Sequence, residues 1–240
     1  MNQNNVYAVI LAGGNGTRMG AVSKPKQFLL LGKKPILVHT VEKFFSNKLI
    51  DTIIVLTPKQ WMDYTKELLA TYFPQGDRLQ VIEGGAQRNE TIMNAIAFIE
   101  SEYGMNEQTV IVTHDAARPF VTGRIIMENI ASMESFDACA TAVAATDTIM
   151  RSNKEGRFIE QIPDRRYMYQ QQTPQTFKAQ KLKEQYDALS FEEKDSLTDA
   201  CKIMVLSGEN VCIVEGEREN IKITYPLDLK VAEVILEQQV

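Results

Sequence analysis

The chain has 240 residues, 44% of them hydrophobic and 24% charged, with 26 basic side chains against 31 acidic ones and a formal net charge of −5. Such a composition excludes disorder, collagen and solenoid repeats, and one α/β domain of this length buries a core that needs neither disulfides nor a structural metal. The acidic balance also argues against nucleic-acid or anionic-membrane binding, because a phosphate backbone must be met by a basic surface; an anionic ligand here needs a local cluster of cations.

Met1 to Asn5 is polar and lacks the basic start of a secretion signal, and the first apolar run, Val6 to Ala12, is far shorter than the roughly 18 residues of a membrane span. A cytoplasmic protein is expected. "VYAVILAGG" (Val6 to Gly14), "DTIIVLTP" (Asp51 to Pro58) and "TVIVTHDAARP" (Thr109 to Pro119) are β-branched runs ending in turn formers, the pattern of parallel strands buried on both faces. Between and after them, Pro35 to Phe45, Trp61 to Tyr72, Asn89 to Tyr103 and Arg124 to Glu134 carry apolar residues at helical spacing. This alternation predicts a Rossmann-like, doubly wound, mostly parallel sheet in a single domain. Ala145 to Phe177 departs from the pattern: two strand-like halves flank the turn residues Asn153 to Gly156 and a Gln-rich run follows, which reads as a hairpin arm projecting from the sheet. A helix around Ser196 to Leu206, a strand at "NVCIVEG" and a final helix from about Pro226 to Gln238 complete the chain. Cys139, Cys201 and Cys212 have no CxxC spacing and read as reduced, buried small hydrophobes.

Ligands of doubly wound sheets bind beyond the carboxyl ends of the strands, which directs attention to Leu11 to Lys26, Gly84 to Thr91 and His114 to Arg118. In "LAGGNGTRMGAVSKPKQF", Gly13, Gly14 and Gly16 let backbone N–H groups approach a triphosphate closely, and Arg18 and Lys26 add positive charge. The loop is not a Walker A motif. It fits the dinucleotide fingerprint only partly, because Met19 stands in place of the third glycine and no acidic residue follows at the ribose position. Asp115, ending a buried strand, makes chemical sense beside phosphates as a Mg²⁺ ligand, although a cap for the helix near Thr122 and a turn former before Pro119 remain alternatives. "GGAQRNET" fits either a base-reading loop or a plain Schellman-like turn before a capped helix. His39 and His114 are too few and too poorly spaced for zinc, and no GxSxG elbow supports nucleophilic hydrolysis.

"LAGGNGTRMG" with "PKQF", then "GGAQRNETI", "HDAARPF", "QQTPQTF", "LTDACKI" and "NIKITYPLDL" together resemble the cytidylyltransferases that activate polyol phosphates with CTP. Two members are nearest, those acting on ribitol 5-phosphate and on 2-C-methyl-D-erythritol 4-phosphate; "YQQQTPQTF" and "LSFEEKDSLTDACKI" lean toward ribitol. The resemblance implies transfer of CMP with release of pyrophosphate and a need for Mg²⁺. It implies nucleotide contacts from Leu11, Ala12, Gly13, Gly14, Asn15, Gly16, Gly84, Gly85, Ala86, Arg88, Asn89, Thr91, Asp115, Ala116 and Arg118. Arg18, Lys26, Arg165 and Lys222 become the catalytic cations, the last two orienting the polyol phosphate with Thr148 and Thr173. Lys222 is placed on a late strand, and Arg165, preferred to Arg166 by its spacing to "TPQ", on the arm. In this family the arm exchanges between subunits, which implies a homodimer with Arg165 serving the partner's site.

Overall fold

The computed structural model describes residues 5–14 and 24–238. In chain order it forms β1 (Val6–Leu11), a short hairpin of β2 (Leu30–Leu31) and β3 (Lys34–Pro35), α1 (Ile36–Phe45), β4 (Thr52–Thr57), α2 (Met62–Tyr72), β5 (Leu79–Glu83), α3 (Arg88–Glu102), β6 (Val110–Asp115), α4 (Gly123–Ala131) and β7 (Ala138–Ala144). There follow β8 (Arg151–Ser152), β9 (Ile159–Gln161), β10 (Tyr169–Lys178), α5 (Ala179–Ala188), α6 (Phe191–Asp195), α7 (Cys201–Leu206), β11 (Cys212–Glu215) and α8 (Pro226–Gln238).

Seven strands make one sheet in the order β11-β7-β10-β6-β1-β4-β5. All neighbours are parallel except β10, which runs antiparallel to both β6 and β7. Every residue of β4 and β6 is buried, because helices cover both faces, and the apolar runs divide between them with period two. Ala8, Ile10, Ile53, Val55 and Val112 face Leu37, Phe44 and Ile125, whereas Tyr7, Val9, Ile54, Leu56 and Ile111 face Ile92, Ile96, Leu182 and Ile203. Each such buried Ile or Leu contributes about 1.5–3 kcal/mol relative to exposure, so the sheet is a rigid platform for whatever its carboxyl ends carry. Cys139 and Cys201 are buried free thiols, but Cys212 is only half-buried on the edge strand.

The segment expected to form the arm divides in two. Asn153 to Gly156 lies at the turn of the β8–β9 hairpin, whose two strands are exposed, but the Gln-rich run is β10, the strand between β6 and β7. Its polar residues tolerate that position because the rest of the fold meets them. Asn220 and the Glu217 carbonyl hydrogen-bond the Gln172 amide, the Asp199 carboxylate accepts from Gln175 at 3.4 Å, and Asn129 accepts from Thr176. The expected helix from Ser196 begins only at Cys201, where Asp199 accepts from the Cys201 N–H at 2.8 Å. Among the described residues no helix is long and apolar enough to cross a membrane.

Candidate active site

A cavity of about 280 Å³ opens at the carboxyl ends of β1 and β6, walled by Gly13, Gly14, Lys26, Gly85, Arg88 and Asp115 among others. Leu11, Ala86, Thr91, Ala116 and Lys222 also line it, so three sequence segments and a fourth from the C-terminal region converge. Asp115 is the last residue of β6, and the sheet's parallel register sets it opposite Leu11. Its carboxylate collects three cations: Lys222 Nζ at 2.8 Å from Oδ2, Arg88 Nη2 at 3.6 Å from Oδ1 and Arg118 Nε at 3.8 Å from Oδ2. Burial pushes the Asp115 pKa up, but Arg88, Lys222 and Arg118 outweigh it and hold the carboxyl well below the usual range. One carboxylate cannot neutralise three cations, so the wall presents positive charge in a chain that is acidic overall.

Lys26 begins a single 3-10 turn, Lys26–Phe28, and its largely buried ammonium donates to the Ile223 carbonyl at 2.7 Å. Gln27, a cavity residue that sequence reasoning did not single out, donates from Nε2 to the Ala12 carbonyl at 2.6 Å and so ties the glycine-rich strand end to this turn. The "PKQF" motif held the signal, but nothing in it separates a loop-anchoring glutamine from a solvated one. Among the described residues, a Cβ added at Gly13 or Gly14 would meet nothing within 4 Å. No described atom fills the space beside them.

"GGAQRNET" is not a Schellman-like turn, since neither Gly84 nor Gly85 has positive φ. The loop is set instead by a capping box, Gln87 with Glu90, at the start of α3, and by Thr91, whose hydroxyl donates to the Gln87 carbonyl and accepts from the Gly85 N–H at 3.0 Å. A Cβ at Gly85 would lie 2.5 Å from the Glu90 Cβ and 2.9 Å from the Thr91 nitrogen. Gly85→Ala is expected to destabilise the fold by about 1–3 kcal/mol and to weaken nucleotide binding, with Gly84→Ala as the milder control; thermal melts and nucleotide titration check both.

Other expected residues stand behind or beside the wall. Ala12 and Asn89 are buried, and the Gly84 N–H pairs with the Thr57 carbonyl. Thr122, not Asp115, caps α4. Thr173 is buried behind Asp115, accepting from the Asp115 N–H at 3.2 Å and pairing with His114 Nδ1 at 3.0 Å, so its hydroxyl is committed to the protein. Lys222 is not on a strand: residues 220–224 are irregular, held by Ile223 N–H on the Ala117 carbonyl. Thr148 is exposed on the arm, and Arg165 sits in an exposed 3-10 turn, donating from Nη1 to the Thr146 carbonyl at 2.8 Å; neither lines this cavity. Arg166 pairs with Asp164 at 2.6 Å. Asn15, Gly16 and Arg18 lie outside the described residues.

His114 is fully buried, with Nε2 donating to the Arg118 carbonyl and Nδ1 accepting from Thr173, and burial lowers its pKa to about 4. The folded state resists protonation more than the unfolded chain, so this contribution is complete above pH 6.5 and is lost as pH falls toward 4. The loss amounts to about 3 kcal/mol, which denaturant titrations of wild type and His114→Gln at pH 7 and pH 4.5 isolate.

A mostly parallel sheet whose carboxyl ends carry a glycine-lined, cation-walled cavity defines a nucleotidyltransferase. Residues 6–238 match the family model for 2-C-methyl-D-erythritol 4-phosphate cytidylyltransferase (IspD), and the chain belongs to that family of cytidylyltransferase enzymes. It is similar to a 4-diphosphocytidyl-2C-methyl-D-erythritol synthase from Anaerococcus prevotii, with TM-score 0.82 and 26% identity over 98% of this chain and 97% of that one. It is also similar to the 2-C-methyl-D-erythritol 4-phosphate cytidylyltransferase of Francisella tularensis, with TM-score 0.79 and 28% identity over 96% and 99% of the two chains. These matches fall on the methylerythritol-phosphate branch, not on the ribitol-phosphate branch toward which two sequence segments lean.

Proposed function

We propose that the protein transfers CMP from CTP to the phosphate of 2-C-methyl-D-erythritol 4-phosphate. A phosphate oxygen of the acceptor attacks the α-phosphorus of CTP, the bond to the β-phosphate breaks, and its electron pair leaves on pyrophosphate. The observation that carries this reading is the gathering of Lys26, Arg88 and Lys222 on one cavity, with Arg88, Arg118 and Lys222 drawn to the Asp115 carboxylate in its wall. Phosphoryl chemistry asks a protein mainly for positioning and for charge to meet charge, and this wall supplies both. Arg18 and Lys26 are assigned to the triphosphate, the loop from Gly84 to Thr91 to the base and ribose, and Lys222 to the acceptor.

Asp115 is one ionised carboxylate, and among the described residues no group of three His, Cys, Asp or Glu side chains could hold a metal. That donor set fits Mg²⁺ carried in with nucleotide phosphates rather than caged by protein, and Asp115 would hold it. When bound, the ion supplies charge neutralisation at the phosphates.

A second reading, ribitol 5-phosphate as acceptor, rests on "YQQQTPQTF" and "LSFEEKDSLTDACKI". Pyrophosphate release measured with CTP and each polyol phosphate in turn decides between them: a higher kcat/KM with ribitol 5-phosphate overturns the first acceptor, and no release with either overturns the transferase reading.

The exposed β8–β9 arm is assigned to a homodimer in which Arg165 serves the partner's site. Arg165→Ala is then expected to raise the acceptor KM about tenfold while leaving CTP affinity unchanged, the signature of a lost positioning contact. Mixing Arg165→Ala with Lys26→Ala should restore part of the activity in mixed dimers; no recovery after demonstrated subunit exchange places the arm over its own site.

A further inference from the structure

Lys222 does more than face the nucleotide cavity: it also lines a neighbouring cavity of about 320 Å³, shared with Thr146, Gln170 and Gln172. Arg118 lines that second cavity too and reaches the first through its pairing with Asp115, so the two cations stand on the boundary between a nucleotide space and a second space. Yet Lys222 sits on irregular backbone, where no helix or sheet ladder fixes its position. A long, flexible lysine on such a segment is accurate only if the segment itself is tied down.

Beyond Lys222 the segment is held at Ile223; before it the tie is Asn220, which is fully buried. Its Nδ2 donates to the Thr173 carbonyl at 2.9 Å and to Gln172 Oε1 at 3.2 Å, fastening the segment to β10. Its backbone carbonyl accepts from Arg118 Nη1 at 2.7 Å. Gln172 completes the fastening by donating from Nε2 to the Glu217 carbonyl at 2.8 Å. One buried amide thus fixes the backbone that serves both boundary cations: Arg118 through the Asn220 carbonyl it donates to, and Lys222 two residues further along the same segment.

We propose that Asn220 is a positioning residue for CMP transfer, holding Lys222 and Arg118 at the boundary between the nucleotide and acceptor spaces. The inference rests on the proposed function and deepens it. Asn220 is buried and lines neither cavity, so its effect on turnover passes through the two cations.

The test is a double-mutant cycle of Asn220→Leu, a neutral near-isostere without the donors, with Lys222→Met. Pyrophosphate release is read at varied acceptor, and CTP affinity separately by titration. Asn220→Leu is expected to lower acceptor turnover about 100-fold, as a displaced catalytic group does, while leaving CTP affinity within about twofold. The double variant should lose far less than the product of the single losses, because the amide then has only Arg118 left to position. Losses that multiply, or a fall in CTP affinity equal to the fall in turnover, overturn the inference and leave Asn220 a structural residue. Should Asn220→Leu not fold, Gln172→Met in the same cycle tests the same fastening with the same two outcomes. Wild-type inactivity with both polyol phosphates overturns the functional reading and this inference together, whereas wild-type turnover with multiplicative losses overturns the inference alone.

Discussion

Lys26→Ala should lower kcat/KM for CMP transfer about 1,000-fold, with most of the loss in kcat, the size expected when a preorganised charge aimed at a developing phosphate charge is removed. The ammonium is well placed for that role: it is largely buried, lines the cavity and is held at 2.7 Å on the Ile223 carbonyl. A lysine in water would spend its charge on solvent and would have to reorganise at each turnover. The substitution also removes a buried hydrogen bond, which costs about 1 kcal/mol of stability, so melting must be measured beside kinetics. Lys26→Arg keeps the charge and distorts the reach, and should recover part of the rate. A Lys26→Ala protein with unchanged turnover sinks the role assigned to this residue, whatever its stability.

The strands whose patterns were plain in the sequence are those buried on both faces. β1, β4 and β6 announce themselves because helices on either side demand apolar residues at every position, and position in a doubly wound sheet then points to their carboxyl ends. Asp115 and the glycine-rich segment are legible for that reason. β10 is not, since Gln172, Gln175 and Thr176 become acceptable in a buried strand only through partners as distant as Glu217, Asp199 and Asn129. Chain-local patterns carry no trace of such partners. Lys222 lines the cavity but does not lie on the strand its pattern suggests: alternation in "NIKIT" is equally well produced by an irregular segment whose Ile223 packs under α8 while Lys222 turns to Asp115. Asn220 and Gln27 were passed over because a buried amide and an exposed one look alike until the fold closes around them.

Asp115→Asn is the change that should reach furthest, because it keeps the shape of the site and deletes the carboxylate that meets three cations. Removing one partner of a fully buried ion pair costs about 3–5 kcal/mol, but the Lys222 and Arg88 side chains are 40% and 24% exposed, so solvent screening reduces the expected loss to about 2 kcal/mol. Catalysis should suffer more, by about 1,000-fold, since Arg88, Arg118 and Lys222 lose the common point that sets their geometry and the oxygen proposed for Mg²⁺ goes with it. Anions then become a diagnostic. Pyrophosphate bound among the orphaned cations replaces the missing negative charge, so it should raise the melting temperature of Asp115→Asn more than that of the wild type. Adding Lys222→Met should restore part of the lost stability by removing one of the repelling charges, without restoring activity. If instead the single variant melts and turns over like the wild type, the carboxylate is not the centre of this site, and the cations gathered on it serve the fold alone.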